Sequence, residues 1–99
     1  MIVHIVMFKF KDENKEANIQ KAKEMLNALE SKIEELLSIE VGINFDTAER
    51  AFDLSIYTKF NSKEDLNSYA VHPEHLKVVE FIKSVVTESK VVDYILDDK

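Results

Sequence analysis

The chain has 99 residues, enough for one domain, with a single glycine, a single proline and no cysteine. Its net charge of −6 disfavours nucleic acid and anionic membrane surfaces as partners, because phosphate binding requires a basic face. The lack of cysteine excludes disulfides, thiolate nucleophiles and iron–sulfur sites. We therefore expect one domain over residues 1–99.

The first predicted element is a strand over Ile2–Phe10. Both of its faces are apolar, so both should be covered. His4 is the exception: it shares a face with Val6 and Phe8, and it either forms a hydrogen bond in the core or lines a cavity. No basic region precedes this apolar run, and it is too short to span a bilayer, so we expect a cytoplasmic protein without membrane association.

A long amphipathic helix is predicted next, capped by Asp12 or Asn14 and ending near Leu37. Its apolar residues recur at steps of three and four, at Ile19, Ala22, Leu26, Leu29, Ile33 and Leu36. This pattern fits a helix packed across a sheet better than a coiled coil, because the stripe is short.

Two alternating segments, Ile39–Phe45 and Ala51–Phe60, predict a hairpin of strands with one covered face each. Leu54 lies on the covered face of the second segment. A short helix is expected from Ser62, where Ser62 and Asp65 form a loose capping box, and it ends near Tyr69.

The single proline marks the start of the next helix. Pro73 suits a first helical turn, and it disfavours helical geometry at His72. The predicted helix runs toward Val86, with an apolar face formed by Leu76, Val79, Ile82 and Val86. His75 precedes Val79 by four residues and therefore stands over that face.

The last predicted strand is Val91–Leu96, apolar on both faces and interrupted by Asp93, a carboxylate that should have a partner. The element order predicts an α+β, ferredoxin-like βαββαβ fold with a four-stranded antiparallel sheet. We expect the first and last strands in the middle of the sheet. Helices cover one face, and the apolar opposite face predicts a homodimer that packs sheet to sheet into an α+β barrel.

The richest chemistry lies between Tyr69 and His75. A phenol and an imidazole at one cavity can transfer a proton and polarise a carbonyl. The alternative is structural: a helix-facing histidine with a satisfied hydrogen bond, beside a core aromatic residue. His72 and His75 also have a spacing seen in metal ligands, but a structural zinc site needs four ligands, and we expect neither a metal nor another cofactor.

Several segments resemble the stress-responsive A/B barrel (Dabb) family of dimeric ferredoxin-like proteins. The resemblance spans nearly the whole chain, and Tyr69-Ala-Val-His72-Pro73-Glu74-His75 is its most specific part. The other matching segments are His4-Ile5-Val6-Met7-Phe8-Lys9-Phe10, Val41-Gly42-Ile43-Asn44, Phe52-Asp53-Leu54, Phe60-Asn61-Ser62 and Val91-Val92-Asp93-Tyr94.

The resemblance implies a symmetric dimer with a cavity between the sheet and helices of each protomer. One plant member of the family is a polyketide cyclase that works without a metal. Its catalytic tyrosine and histidine match Tyr69 and His75, and its first-strand histidine matches His4. Leu54 stands where that cyclase has a further pocket histidine.

Two functions follow as hypotheses. In the first, His75 and Tyr69 act as base and hydrogen-bond donor on a small carbonyl compound, in an apolar pocket shaped by His4, Val6, Phe8, Leu54 and Ile82. In the second, the protein is a non-catalytic, stress-associated dimer or binder of a small apolar molecule. There, a hydrogen bond between His75 and Tyr69 pins the bend to the sheet.

Overall fold

A computed structural model describes residues 1–97. Its elements, in chain order, are β1 (Ile2–Phe10), α1 (Lys15–Asn27), a 3₁₀ turn (Ala28–Ser31), β2 (Ser38–Ile43), β3 (Leu54–Phe60), α2 (Lys63–Ala70), α3 (Pro73–Val85) and β4 (Val86–Ile95). The strands form one antiparallel sheet in the order β2-β3-β1-β4. This arrangement confirms the ferredoxin-like α+β fold that the pattern of elements predicts.

The position of β4 corrects one expectation. β1 lies in the middle of the sheet, but β4 is an edge strand that pairs with β1 alone among the described residues. Val91, Val92 and Ile95 are more than half exposed. The apolar character of β4 on both faces therefore does not reflect a central place in the sheet of one protomer.

β4 also begins five residues before the predicted start at Val91. Glu88, Ser89 and Lys90 pair with residues of β1, although their polar side chains resemble those of a loop. An edge strand tolerates such residues because both its faces and its outer side reach solvent.

The first helix is shorter than predicted, because α1 ends at Asn27 and a 3₁₀ turn follows. The Leu29 carbonyl accepts hydrogen bonds from the amides of both Lys32 and Ile33, and the Ser31 hydroxyl donates to the Ala28 carbonyl. All six residues of the predicted apolar stripe are nevertheless buried. Steps of three and four residues fit a tightened turn as well as an α-helix.

The start of α1 departs from the expected cap. Asn14 occupies the N-cap position with a positive φ of 54°, and its side chain makes no capping bond. Its backbone carbonyl accepts from the Asn18 amide instead. Asparagine tolerates this left-handed geometry better than most residues.

The predicted hairpin of β2 and β3 is confirmed, with shorter strands. Asn44 ends β2, because its side-chain amide donates to the Phe52 carbonyl and its side-chain oxygen accepts from the Asp46 amide. This turn directs Phe45 into solvent, where it is 98% exposed rather than covered.

One carboxylate fixes the end of β1. The Phe10 amide donates to Asp53 Oδ2 at 2.7 Å, and the Asp53 amide donates to the Phe8 carbonyl at 2.8 Å. Lys15 Nζ lies 3.6 Å from Asp53 Oδ1. Asp53 therefore joins the loop before β3 to the end of β1 and the start of α1.

The core lies between the helices and one face of the sheet. Its strand residues include Ile2, Phe10, Leu54, Ile56 and Phe60, and its helix residues include Ile19, Ala22, Leu26, Tyr69, Val78 and Ile82. The buried face of α3 centres on Val78 and Ile82, whereas Leu76 is 50% exposed. The predicted face containing Leu76 is thus wrong by part of a turn, because α3 packs against α1 as well as the sheet.

The opposite sheet face has no helix over it in the described part of the chain. It carries Ile5, Met7, Val92 and Tyr94, and the last three are at least one-third exposed.

Within residues 1–97, no helix has the length and apolar composition needed to cross a bilayer.

Candidate functional site

Two local structures bring Tyr69 and His75 together. The Ser62 hydroxyl accepts from the Asp65 amide at 3.1 Å and caps α2, so that Tyr69 falls on its inner face. Pro73 then opens α3, as predicted, and places His75 in its first turn. The tyrosine and histidine ring centroids lie 4.3 Å apart at an interplanar angle of 40°.

His72 has a structural role at this bend. It is the N-cap of α3, and its Nδ1 accepts a hydrogen bond from the Glu74 amide at 3.1 Å. His75 Nδ1 is bonded separately, to the Ala70 carbonyl. In the described part of the chain, no group of three or more histidine, aspartate or glutamate side chains is placed to hold a metal.

A cavity of about 180 Å³ lies beneath α3, between that helix and the sheet. Tyr69 and His75 form part of its wall, and the rest is mainly apolar. The other lining residues are Phe8, Leu26, Ile56, Val78, Val79, Ile82, Lys83, Val86 and Ser89. The cavity therefore combines an apolar interior with a few polar groups, as small-molecule sites usually do.

Tyr69 is only 2% exposed, and burial raises its pKa to about 12. Its hydroxyl makes no hydrogen bond to another group within residues 1–97. Every side-chain oxygen in that range that is fully shielded from solvent does have a hydrogen-bond partner, so the Tyr69 hydroxyl is not fully shielded. Tyr69 also lines the cavity. At neutral pH its hydroxyl is protonated and free to donate to a bound molecule.

Burial lowers the pKa of His75, and its bond to Ala70 acts in the opposite direction. A carbonyl oxygen can only accept, so the 3.1 Å contact between His75 Nδ1 and Ala70 O requires the proton on Nδ1. Because burial lowers the pKa of His75, the neutral form is favoured at pH 7, and with the proton on Nδ1 this form has a lone pair on Nε2 that can accept a proton.

His4 lies on the neighbouring strand. Its Nδ1 is hydrogen-bonded to Asp93 Oδ1 across the β1–β4 pair, so Asp93 has the partner that the sequence demands. The His4 and Tyr69 ring centroids are 6.5 Å apart in an edge-to-face arrangement. His4 thus contacts the site through Tyr69, while Asp93 borders a separate groove between α2 and β4.

The structure brings together four of the seven predicted site residues, namely Tyr69, His75, Phe8 and Ile82, along one cavity. It does not place His4, Val6 or Leu54 in the lining. Leu54 is a core residue at 1% exposure, and Val6 packs against the same core.

Sequence reasoning missed Lys83 and Ser89, which also line the cavity. Helical spacing from His75 passes through Val79 to Lys83 and could have identified the lysine. No comparable signal existed for Ser89, because the early start of β4 was not evident in the sequence.

Residues 2–96 match the model of a family described as the Stress responsive A/B Barrel Domain. The chain is also 35% identical over 99 residues to a stress-response A/B barrel domain-containing protein of Arabidopsis thaliana. That match covers 98% of this chain and 37% of the relative, so this chain spans little more than a third of the relative's length.

Solved structures of other proteins have the same fold as this chain. A dimeric protein of unknown function with a ferredoxin-like fold, from Bacteroides fragilis, is 32% identical with a TM-score of 0.88, over 96% of this chain and 95% of that one. The hydroxynitrile lyase of Passiflora edulis has a TM-score of 0.85 over 99% and 94% of the two chains, but at 20% identity it shares the fold alone. With the family model matched from residue 2 to residue 96, this chain belongs to the stress responsive A/B barrel domain family.

Proposed function

We propose that this protein binds a small carbonyl compound in the cavity beneath α3 and catalyses proton transfer at the carbon next to the carbonyl. One observation carries the proposal: the rings of Tyr69 and His75 lie 4.3 Å apart in the wall of one largely apolar cavity. Burial raises the pKa of Tyr69 to about 12 and lowers the pKa of His75, and both shifts favour the neutral side chains. Perturbed groups in a cavity mark candidate sites of acid–base chemistry.

The chemistry follows from the two protonation states. His75 Nε2 accepts the proton from the α-carbon, and the electron pair of the broken C–H bond moves into an enolate. The Tyr69 hydroxyl donates a hydrogen bond to the enolate oxygen, where the negative charge develops. The enolate then collapses as its α-carbon takes the proton back from His75 Nε2, which restores the ketone and the neutral imidazole.

The structural alternative keeps part of its support, because His75 has a satisfied hydrogen bond to the Ala70 carbonyl and Tyr69 is a core residue. The hydrogen bond between Tyr69 and His75 that would pin the bend to the sheet does not form, because the tyrosine hydroxyl has no partner within residues 1–97. An open cavity with both side chains in its wall also favours binding over a filled core.

We also propose that the protein is a homodimer formed by sheet-to-sheet packing. The sheet face without helices exposes Met7, Val92 and Tyr94, and apolar area removed from water stabilises an interface by about 25 cal/mol per Å². The Bacteroides fragilis protein, at 32% identity, is dimeric.

Native mass spectrometry of the purified protein, followed by denaturing release, tests the binding proposal. We expect a dimer that carries a small carbonyl-containing molecule or takes one up from added ketones. A protein that neither carries nor takes up such molecules would contradict the proposal.

A further inference from the structure

A lysine borders the cavity beneath α3. Lys83, in the last turn of α3, and Ser89 of β4 both line the cavity, and both are exposed to solvent. Lys83 follows His75 by eight residues, which corresponds to about 12 Å along the helix axis. The lining of the cavity therefore extends along about two turns of α3, from His75 near one end to Lys83 near the other.

The Lys83 ammonium forms no ion pair in the described part of the chain. Lys77, on the same helix, is by contrast engaged, because its Nζ lies 3.2 Å from Glu74 Oε2. A cation near the end of a helix can also serve the exposed carbonyls there. Lys11 already fills that role, because its Nζ donates to the Ser84 carbonyl at 3.1 Å.

The charge stands out against the rest of the lining. No carboxylate of residues 1–97 lines the cavity, and most of the wall is aliphatic or aromatic. Because Lys83 is exposed, its attraction for an anion is partly screened by water and is strongest at low salt. This lysine borders the cavity although the whole chain carries a net charge of −6.

We propose that the carbonyl compound bound here is anionic, with a carboxylate held by Lys83 and Ser89 and a ketone held against Tyr69 and His75. The inference rests on the function proposed above and specifies its substrate class. An apolar chain joins the two groups and contacts Phe8, Val79 and Ile82.

The geometry sets the length of that chain. A lysine side chain spans about 6 Å and leans toward the N-terminus of its helix, which leaves about 6–9 Å between its ammonium and the His75 region. An extended chain advances about 1.2 Å per bond, so about five to seven bonds should separate carboxylate and ketone. The keto acid 6-oxoheptanoate meets this requirement, and a molecule of this size suits a cavity of about 180 Å³.

The test compares 6-oxoheptanoate with its neutral isostere, 6-oxoheptanamide, by titration into ¹⁵N-labelled protein at low salt. We expect the acid to bind about two- to fivefold more tightly than the amide to the wild type. Lys83→Gln should remove this preference and Lys83→Arg should retain it. Lys77→Gln is the matched control, because it removes the same charge from the same helix outside the cavity.

The outcomes separate this inference from the proposed function. Binding of both compounds with no preference for the acid, or a preference that survives in Lys83→Gln, would overturn the anionic substrate class and leave the carbonyl site intact. Failure of both compounds to shift the amides around Tyr69 and His75 at millimolar concentration would overturn the carbonyl site itself, and the inference with it.

Discussion

Tyr69 and His75 pack with their ring centroids 4.3 Å apart, but no hydrogen bond joins them. The histidine is oriented by the Ala70 carbonyl, and the tyrosine is oriented by packing against Phe60, whose ring centroid lies 5.0 Å away. Each side chain is therefore held in place without using the group that the proposed chemistry requires. Substitutions of Tyr69 and His75 should therefore affect the stability and the activity of the protein differently.

Tyr69→Phe should leave the free energy of unfolding almost unchanged, because the lost hydroxyl has no hydrogen-bond partner within residues 1–97. Tyr69→Ala should lower it by about 3–5 kcal/mol, since it opens a void in the core beside Phe60. Urea denaturation of both variants checks this pair. A loss of more than about 1.5 kcal/mol in Tyr69→Phe would indicate a structural hydrogen bond and favour the non-catalytic hypothesis.

The stability of the protein should depend on pH through His75. Burial lowers the folded-state pKa of His75 below its usual 6.5, whereas the unfolded chain keeps the usual value. The unfolded state then binds more protons in the window between these two pKa values. The contribution of neutral His75 to the free energy of unfolding is fully present above about pH 6.5. It is lost as the pH drops through the folded-state pKa of His75.

The variant His75→Gln isolates this contribution. Between about pH 7 and pH 5, its free energy of unfolding should fall less than that of the wild type. Urea titrations at several pH values measure both slopes. Equal slopes would show that the pKa of His75 is not lowered in the folded protein.

Removing the Asp53 carboxylate should destabilise the junction of β1, β3 and α1. Asp53→Ala leaves the Phe10 amide without its 2.7 Å acceptor in a partly buried position, at a cost of about 1–3 kcal/mol. Asp53→Asn keeps an acceptor oxygen and should lose less. Denaturation midpoints of the two variants provide the comparison, and equal losses would contradict the hydrogen-bond explanation.

The proposed interface can be tested with two valines. Val92 is 55% exposed on the sheet face without helices, and Val71 is 69% exposed at the end of α2. Val92→Lys should weaken dimerisation at least tenfold, because it buries a charge without a partner. Val71→Lys should leave the dimer intact. Sedimentation equilibrium over a range of concentrations distinguishes them, and unaltered association of Val92→Lys would argue against sheet-to-sheet packing.

The sequence was sufficient to predict the fold because alternation and helical spacing agree along most of the chain. Ser62, Pro73 and the β2–β3 hairpin lie where their local chemistry requires. The errors come from features that depend on neighbouring elements. The length of α1 depends on a tightened turn at Leu29, and the exposure of Leu76 depends on packing between α1 and α3.

The site was partly predictable for the same reason. Tyr69 and His75 belong to one local bend, so their spacing brings them close whatever the rest of the chain does. Ser89 reaches the cavity only because β4 begins at Val86, and this depends on pairing with β1 at the far end of the sequence. Long-range pairing of polar residues leaves no pattern that a single sequence reveals.

The most direct test of the central claim is deuterium exchange into a ketone. In D₂O near neutral pH, wild-type protein should accelerate exchange of the protons next to the carbonyl of 6-oxoheptanoate or 6-oxoheptanamide, as followed by proton NMR. His75→Gln should abolish the acceleration, and Tyr69→Phe should reduce it about 100-fold or more while the protein remains folded. Exchange no faster than in buffer, or equal acceleration by wild type and His75→Gln, would contradict a role for these residues in proton transfer.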